Sequence, residues 1–206
     1  MSNTSHYFTS NGDLPSKRTT VEMFLPDCSF TLTTDIGVFS KNSVDPGTKY
    51  LLTTAPMPPQ LGHIADLGCG YGPIAVTLAR RSPEASIWAI DINERAVELT
   101  ALNAASYDLD HVRARLEDNV PPEVRFAAIY SNPPIRIGKQ ALHDMLDTWL
   151  PRLTPDGSAY LVINKNLGAD SLMAWLLREG WRCERLSSSM GYRILRVQYI
   201  ENGVCL

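Results

Sequence analysis

The sequence lacks the features of several large protein classes. It contains no uninterrupted apolar run near the roughly 20 residues that a membrane-spanning helix needs, and its mean hydropathy is −0.12. Its first residues have no basic start followed by an apolar stretch, so we expect no secretory signal. None of the four cysteines is spaced as CxxC, and no histidine is placed to complete a zinc site. We therefore expect free thiols in a reducing cytoplasm, no metal ion and no membrane contact.

Length and composition are those of an ordinary globular protein. The chain has 206 residues, of which 44% are hydrophobic and 20% are charged, which excludes a disordered chain and a coiled coil. A chain of this length can bury a hydrophobic core large enough to fold without disulfides or a structural metal. We expect one domain, or one domain with a small extension. With a net charge of −3, the chain as a whole is not a polyanion binder, and we expect weak non-specific affinity for RNA. The sequence leaves the oligomeric state open, with a monomer slightly favoured.

Residues 1–60 differ in pattern from the rest of the chain, and we predict that they form a small extension packed on the main domain. The alternation of apolar and polar residues over 30–34 indicates a β-hairpin. Pro46, directly after Asp45, predicts the start of a short helix at about 46–54. A proline-rich connector follows, because prolines cannot continue that helix. The main domain is then expected over 61–206.

Beyond this connector, strand-like and helix-like segments alternate regularly. The predicted strands are 64–67, 86–91, 111–115, 127–131, 158–164, 181–186 and 193–200, and the predicted helices are 74–81, 94–107, 139–150 and 170–179. Such alternation predicts an α/β fold with a mostly parallel sheet covered by helices on both faces. Pro155, Asp156 and Gly157 predict a turn before the fifth strand. The last two strands are joined by a short loop and must pair antiparallel.

The strongest local signal is a glycine-rich turn over 66–72, Asp-Leu-Gly-Cys-Gly-Tyr-Gly, between a predicted strand and a helix. Its glycines allow a tight turn and the close approach of a ligand. The carboxylate of Asp66 would repel a pyrophosphate but pair with an ammonium group. Asp91 ends the next strand, where it can accept hydrogen bonds from two ribose hydroxyls. These residues favour S-adenosylmethionine over NAD as the ligand; glycines that serve only helix–strand packing are the alternative.

A second motif, Asn132-Pro133-Pro134-Ile135, directly follows a predicted strand. Ligands of open α/β sheets bind beyond the carboxyl ends of the strands, so we expect this motif beside the glycine-rich turn. The two prolines remove two N–H donors and leave carbonyl oxygens and the Asn132 amide oxygen as acceptors. This acceptor-rich pocket suits an incoming NH₂ group; a plain Asn-Pro turn is the alternative.

With these motifs the chain resembles the methyltransferase small family of class I S-adenosylmethionine-dependent methyltransferases. Further similar segments are 37–40 (Gly-Val-Phe-Ser), 45–48 (Asp-Pro-Gly-Thr), 135–139 and 191–195. The resemblance implies a Rossmann-like sheet of seven strands, with strand seven antiparallel and inserted between strands five and six. It implies S-adenosylmethionine as cofactor and methylation of the exocyclic N2 amine of a guanine. Small-subunit (16S) ribosomal RNA, or the small subunit itself, is the implied partner.

The resemblance also implies roles for individual residues. Asn132 and the Pro133 carbonyl would accept hydrogen bonds from the target amine, with Pro134 and Ile135 completing the catalytic loop. Ile92 would lie against the adenine of the cofactor. The full set of implied cofactor contacts is Asp66, Leu67, Gly68, Gly70, Gly72, Asp91, Ile92, Leu116, Glu117 and Asn132.

Two positions depart from the family pattern. The residue after the prolines is usually an aromatic that stacks on the target base, whereas this sequence has Ile135; Phe39 is the hypothesised replacement. The family tends to place an acidic residue after strand three, where this sequence has Arg115. Glu117, Asp118 or the Leu116 backbone then remains to bind the adenine amino group.

The substrate is the least specified part of this interpretation. A structured RNA needs phosphate contacts, and the candidates are Lys49, Arg136, Lys139 and Arg193. The same catalytic motif also serves adenine N6 and protein glutamine, and a non-catalytic module that binds S-adenosylmethionine or RNA is a further alternative. No histidine is assigned as a general base, because the sulfonium leaves as a neutral group and the proton can pass to water.

Overall fold

The computed structural model describes residues 15–133 and 138–200. Its strands are β1 (Thr19–Phe24), β2 (Ser29–Thr34), β3 (His63–Leu67), β4 (Ser86–Asp91), β5 (Val112–Leu116), β6 (Phe126–Ser131), β7 (Leu153–Asn164), β8 (Trp181–Ser189) and β9 (Tyr192–Tyr199). Its α-helices are α1 (Pro46–Thr54), α2 (Pro73–Arg81), α3 (Glu94–Ala105), α4 (Lys139–Trp149) and α5 (Ala169–Arg178). The predicted hairpin and the predicted helix over 46–54 are both present.

Seven of the strands form one sheet in the order β5-β4-β3-β6-β7-β9-β8. Neighbouring strands from β5 to β7 pair parallel, whereas β9 pairs antiparallel with both β7 and β8. The predicted α/β sheet, with its last strand antiparallel and inserted before the edge strand, is therefore confirmed. The hairpin β1–β2 forms a separate two-stranded sheet.

The central strands are apolar on both faces because helices cover both faces of the sheet. Successive strand residues point to opposite sides, so Ile64 joins one hydrophobic cluster and Ala65 joins the other. The cluster that contains Ile64 also holds residues of α1, α2, α3 and the hairpin, whereas the other holds residues of α4 and α5. The buried side chains of Leu32 and Leu51 lie in the first cluster. Residues before the proline-rich connector therefore share a core with the main domain.

The predicted turn at Pro155, Asp156 and Gly157 is wrong, because these residues lie within β7. The pairing of β6 with β7 shifts register between Phe126 and Ala128, so the extra residues bulge out of the ladder. A Cβ on Gly157 would lie 2.8 Å from the carbonyl oxygen of Phe126. Gly157, which has no Cβ, thus allows the backbone of β7 to approach the backbone of β6 closely.

The described residues offer neither a membrane-crossing helix nor a metal cluster. No helix within 15–133 and 138–200 combines the length and apolarity that a bilayer span requires. In the same ranges, no group of three or more His, Cys, Asp or Glu side chains is placed to hold a metal ion. Cys28, Cys69 and Cys183 are free thiols.

Buried Asn103 of α3 connects the hairpin to the glycine-rich turn. Its side-chain nitrogen donates to the carbonyl oxygens of Thr33 (2.8 Å) and Tyr71 (2.7 Å), and its Oδ1 accepts from the Thr33 amide (2.7 Å). Water cannot replace these partners at a buried position, so all three hydrogen bonds depend on the one side chain. Asn103 therefore couples the N-terminal elements to the loop that follows β3.

We expect Asn103→Ala to lower the free energy of unfolding by about 2–4 kcal/mol, because three hydrogen bonds are lost and buried backbone groups stay unpaired. Urea denaturation at equilibrium measures this change. The exposed Asn119 supplies a matched control, and Asn119→Ala should change the free energy by less than about 0.5 kcal/mol. Equal effects of the two substitutions would contradict the role of Asn103.

Candidate active site

The predicted functional segments begin where three adjacent parallel strands end. Leu67 of β3 lies level with Ile90 of β4 and with Ser131 of β6. The residues that follow these positions are Gly68, Asp91 and Asn132. The register of the sheet therefore brings three features together at the carboxyl ends of these strands: the glycine-rich turn, the predicted ribose ligand Asp91 and the predicted catalytic residue Asn132.

A cavity of about 340 Å³ opens at the carboxyl ends of these strands, and its volume is within the range of small-molecule and cofactor sites. The predicted residues in its wall are Phe39, Gly68, Gly70, Asp91, Ile92, Glu117 and Asn132. Another part of the wall comes from α4, through Ala141, Asp144, Met145 and Thr148. We did not predict these four residues, because no motif marks a helix face that a ligand contacts. Four predicted cofactor contacts lie outside the wall: Asp66, Leu67, Gly72 and Leu116.

The glycines of the turn have two different structural tasks. Gly70 has a φ of +58°, and nothing lies within 4 Å of the position that its Cβ would occupy, so the backbone there is open to a ligand. Gly72 has a φ of +90°, and a Cβ would lie 2.9 Å from Thr100 Oγ1. Left-handed φ values of this kind favour glycine. Gly72 thus allows α2 to pack closely against α3 instead of facing the cavity.

Asp91 presents a carboxylate of fixed orientation to the cavity. Its Oδ2 accepts a hydrogen bond from the Gly70 amide and its Oδ1 accepts one from the Asn93 amide, each at 3.0 Å. Burial raises the pKa of Asp91, although both hydrogen bonds act in the opposite direction. Each carboxylate oxygen retains acceptor capacity, so this side chain can bind a pair of hydroxyl donors.

Asp66 lies beneath the turn and is fully buried. Its Oδ2 accepts a hydrogen bond from the Ala75 amide at 2.9 Å, in the first turn of α2, whereas its Oδ1 has no partner among the described residues. Burial raises the pKa of Asp66 to about 8. The side chain supports the junction of β3 and α2, and its predicted pairing with an ammonium group stays a prediction.

Asn132 contacts the N-terminal helix α1. Its Nδ2 donates to Asp45 Oδ1 at 2.8 Å and to Thr48 Oγ1 at 2.9 Å. Asp45 also caps α1, because the same Oδ1 accepts from the amides of Gly47 and Thr48. We missed both partners in the sequence, where they lie 87 and 84 residues from Asn132.

Phe39 lies in the cavity wall and is 47% exposed. Its loop is held against the start of α3, where Asn93 Nδ2 donates to the Gly37 carbonyl oxygen at 3.0 Å. Arg95 Nη1 donates to the Ile36 carbonyl oxygen at 2.9 Å. Phe39 and Asn132 line the same cavity, as the hypothesis of a stacking residue requires, and the contact of Phe39 with a base stays a hypothesis.

Glu117 is the acidic residue in the cavity wall on the β5 side. It is half-buried, and burial raises its pKa. Arg115, by contrast, is exposed and donates to the carbonyl oxygen of Ala114 at 2.8 Å. Of the three candidates for binding the adenine amino group, Glu117 is the one that lines the cavity.

The predicted phosphate contacts have different environments. Arg193 is buried and forms an ion pair with Asp170, so its interpretation as a surface cation for RNA is wrong. Lys49 is half-buried in α1, whereas Lys139 is exposed at the start of α4. Three further predicted residues, Pro134, Ile135 and Arg136, lie outside the described residues.

Comparisons with known proteins agree with this fold. Residues 29–196 match the Methyltransferase small domain family. The uncharacterized protein YbxB of Bacillus subtilis is 35% identical over 95% of this chain and 98% of its own length. Ribosomal RNA small subunit methyltransferase C of Pseudomonas aeruginosa is 35% identical over 77% of this chain, but over 48% of its own length. The structure of the T. thermophilus 16S rRNA N2 methyltransferase RsmC, in complex with AdoMet and guanosine, superposes with a TM-score of 0.77 at 24% identity, covering 91% of this chain and 52% of that one.

The fold is that of class I S-adenosylmethionine-dependent methyltransferases, and the cavity lies at the carboxyl ends of its parallel strands. The chain belongs to the Methyltransferase small domain family, whose methyl donor is S-adenosylmethionine. It spans about half the length of the methyltransferase C relatives that it matches.

The raised pKa of Asp66 predicts how stability depends on pH. Because the folded state holds this proton up to about pH 8, the unfolded chain loses it first, and stability falls as pH rises from about 4 to 8. Asp66→Asn removes this effect while keeping an acceptor for the Ala75 amide. We expect the variant to gain about 2–5 kcal/mol relative to wild type between pH 5 and pH 8.

Urea denaturation of the ligand-free proteins across this pH range measures the difference. Asp118→Asn is the control, because Asp118 is exposed at the same edge of the sheet. If wild type and Asp66→Asn keep a constant difference in the free energy of unfolding from pH 5 to pH 8, Asp66 is not the group that titrates.

Proposed function

We propose that the protein transfers a methyl group from S-adenosylmethionine to the exocyclic N2 amine of a guanine in small-subunit ribosomal RNA, in the cytoplasm. The observation that carries this proposal is that Asn132 shares one cavity wall with Asp91 and Gly70. A hydrogen-bond acceptor for an amine thus lies beside groups suited to a nucleoside cofactor.

The residues in the cavity wall fit the cofactor. Gly70 leaves open space above the backbone, and Asp91 offers two oriented carboxylate oxygens for ribose hydroxyls. Ile92 is 45% exposed and supplies an apolar surface for the adenine. Glu117 supplies an acceptor for the adenine amino group. S-adenosylmethionine, when bound, provides a methyl group made electrophilic by the attached cationic sulfur.

The catalytic loop would act on the target amine by orientation. The lone pair of a guanine amine is delocalised into the ring, which makes this nitrogen a poor nucleophile. Asn132 Oδ1 and the Pro133 carbonyl oxygen would accept its two N–H groups and draw them out of the base plane, so that the lone pair is directed at the methyl group. Positioning and electrostatics of this kind supply most of the acceleration. Water can take the released proton, so no general base is needed.

The choice of guanine and of the small subunit is supported by relatives. The names of the P. aeruginosa and T. thermophilus proteins specify small-subunit ribosomal RNA, and the latter structure contains guanosine. This chain covers about half of each of those proteins, so guanine in small-subunit ribosomal RNA is proposed as its substrate by analogy with them. Phe39, exposed in the cavity wall, would stack on the base in place of an aromatic residue at position 135.

Methyl-labelled S-adenosylmethionine tests the reaction, with small subunits that lack native methylation and with naked ribosomal RNA as substrates. We expect label in N2-methylguanosine. Asn132→Ala should lower the rate by about 100-fold or more, because the acceptor for the amine is lost, while S-adenosylmethionine still binds. Transfer at the wild-type rate in this variant would refute the assigned site. Label in N6-methyladenosine or in a protein glutamine would instead keep the site and replace the substrate.

Lys139, exposed near the catalytic loop, is the expected phosphate contact among the described candidates. Lys139→Ala should weaken RNA binding similarly for different sequences and reduce the salt dependence of log K by about one unit of slope. Binding titrations at several salt concentrations measure this slope. Arg178 is the control, because it is exposed at the end of α5, just before the edge strand β8. A slope that Lys139→Ala and Arg178→Ala change equally would exclude a specific contact.

A further inference from the structure

We propose that Asp45 and Thr48 are positioning residues that determine which side of the Asn132 amide faces the substrate. This inference rests on the proposed function, since it concerns the amide that accepts the target amine. It assigns a task to the segment 45–48, Asp-Pro-Gly-Thr, which the cofactor cavity alone does not explain.

The chemistry of the contacts selects one amide orientation. Asn132 Nδ2 lies 2.8 Å from Asp45 Oδ1 and 2.9 Å from Thr48 Oγ1. An ionised carboxylate can only accept hydrogen bonds. Rotating the amide by half a turn would bring its oxygen to the position of Nδ2, 2.8 Å from the carboxylate oxygen, where the two acceptors repel. The NH₂ group is therefore directed at α1, and Oδ1 is left for the target amine.

The two acceptors are themselves held firmly. Asp45 Oδ1 accepts from the backbone amides of Gly47 (2.8 Å) and Thr48 (3.2 Å), which fixes the carboxylate at the start of α1. Thr48 is buried. A Cβ on Gly47 would lie 2.7 Å from the Tyr192 ring and 2.8 Å from Asp45 Oδ1, so this close packing requires glycine. The helix start thus forms a rigid base for Asn132.

The charge of Asp45 adds a second effect. A hydrogen bond to a charged acceptor is stronger than one between neutral groups, and it polarises the amide that donates it. Electron density shifts toward Oδ1 of Asn132, which makes that oxygen a better acceptor for the N–H groups of the substrate. Orientation and polarisation both favour the reacting geometry, and neither requires contact between Asp45 and the substrate.

Isosteric variants separate positioning from folding. Thr48→Val removes one acceptor at nearly constant size, whereas Thr48→Ser keeps it. Asp45→Asn preserves the helix cap, since asparagine caps as well as aspartate. Its Oδ1 still accepts from Asn132, because the cap and the Asn132 contact use the same oxygen, but the negative charge that strengthens the contact is lost. We expect kcat to fall about tenfold in Thr48→Val and in Asp45→Asn, with the affinity for S-adenosylmethionine within about twofold of wild type. Thr48→Ser should restore most of the rate.

Thr53→Val makes the same substitution on the exposed face of α1 and controls for helix propensity. A full rate in both Thr48→Val and Asp45→Asn would overturn the inference. A loss in Thr48→Val that Thr48→Ser shares would also overturn it, and so would a loss that appears only in cofactor affinity.

A readout without substrate separates this inference from the proposed function. The side-chain NH₂ signal of Asn132 in a ¹⁵N-labelled protein can be assigned by its absence in Asn132→Ala. We expect its hydrogen exchange to be slow in wild type and Thr48→Ser, and at least about tenfold faster in Thr48→Val and Asp45→Asn. Equal exchange in all four proteins would overturn the positioning role. If wild type methylates no RNA while these exchange rates differ as expected, only the proposed substrate fails.

Discussion

The in-register pairing of β3 with β4 and β6 is the constraint on which the site depends. Because Leu67 lies level with Ile90 and Ser131, the chain leaves three neighbouring strands at the same height. A shift of two residues in either ladder would separate the next residues along the chain by roughly 6 Å or more. Hydrogen bonds across these exits reinforce the alignment: Ser131 Oγ donates to the Leu67 carbonyl oxygen at 2.7 Å, and the Gly68 amide donates to the Ile90 carbonyl oxygen at 2.8 Å.

Residues before β3 supply the parts of the candidate site that the sheet does not. The sheet alone supplies the glycine-rich turn, Asp91 and Asn132, whereas the wall near Phe39 and the hydrogen-bond partners of Asn132 come from residues before β3. Asn103 ties the hairpin to the glycine-rich turn, and Asn93 holds the loop that carries Phe39. Each of these links is a polar side chain that bonds to backbone groups, a contact whose geometry is more specific than apolar packing. The segment is thus part of the candidate site as well as of the core.

The alternation of strands and helices was sufficient to predict a mostly parallel sheet with antiparallel closing strands, whereas the strand order was implied by the family resemblance. The rule that ligands bind at the carboxyl ends of strands placed Asp91 beside Asn132. The alternation and the motifs at the strand ends are periodic or local signals, so they are visible in a single sequence. Contacts between distant segments leave no such signal. The hydrogen bond between Asp45 and Asn132, the α4 residues of the cavity wall and the burial of Arg193 depend on how the elements pack. The turn expected at Gly157 failed for a related reason, because glycine and proline favour a turn and a strand bulge alike.

Burial raises the pKa of Asp91 and Glu117 in the cavity wall and raises the pKa of Asp66, beneath the glycine-rich turn, to about 8. A ligand that brings positive charge close to Asp66 favours the ionised form of this side chain, so binding below about pH 8 releases a proton to the buffer. The measured heat of binding then contains the ionisation heat of the buffer and differs from one buffer to another. When a reaction neutralises that ligand, Asp66 regains its proton and holds the product less strongly. Burial of this acid therefore couples the exchange of a spent, neutral ligand for a charged one to the movement of a proton.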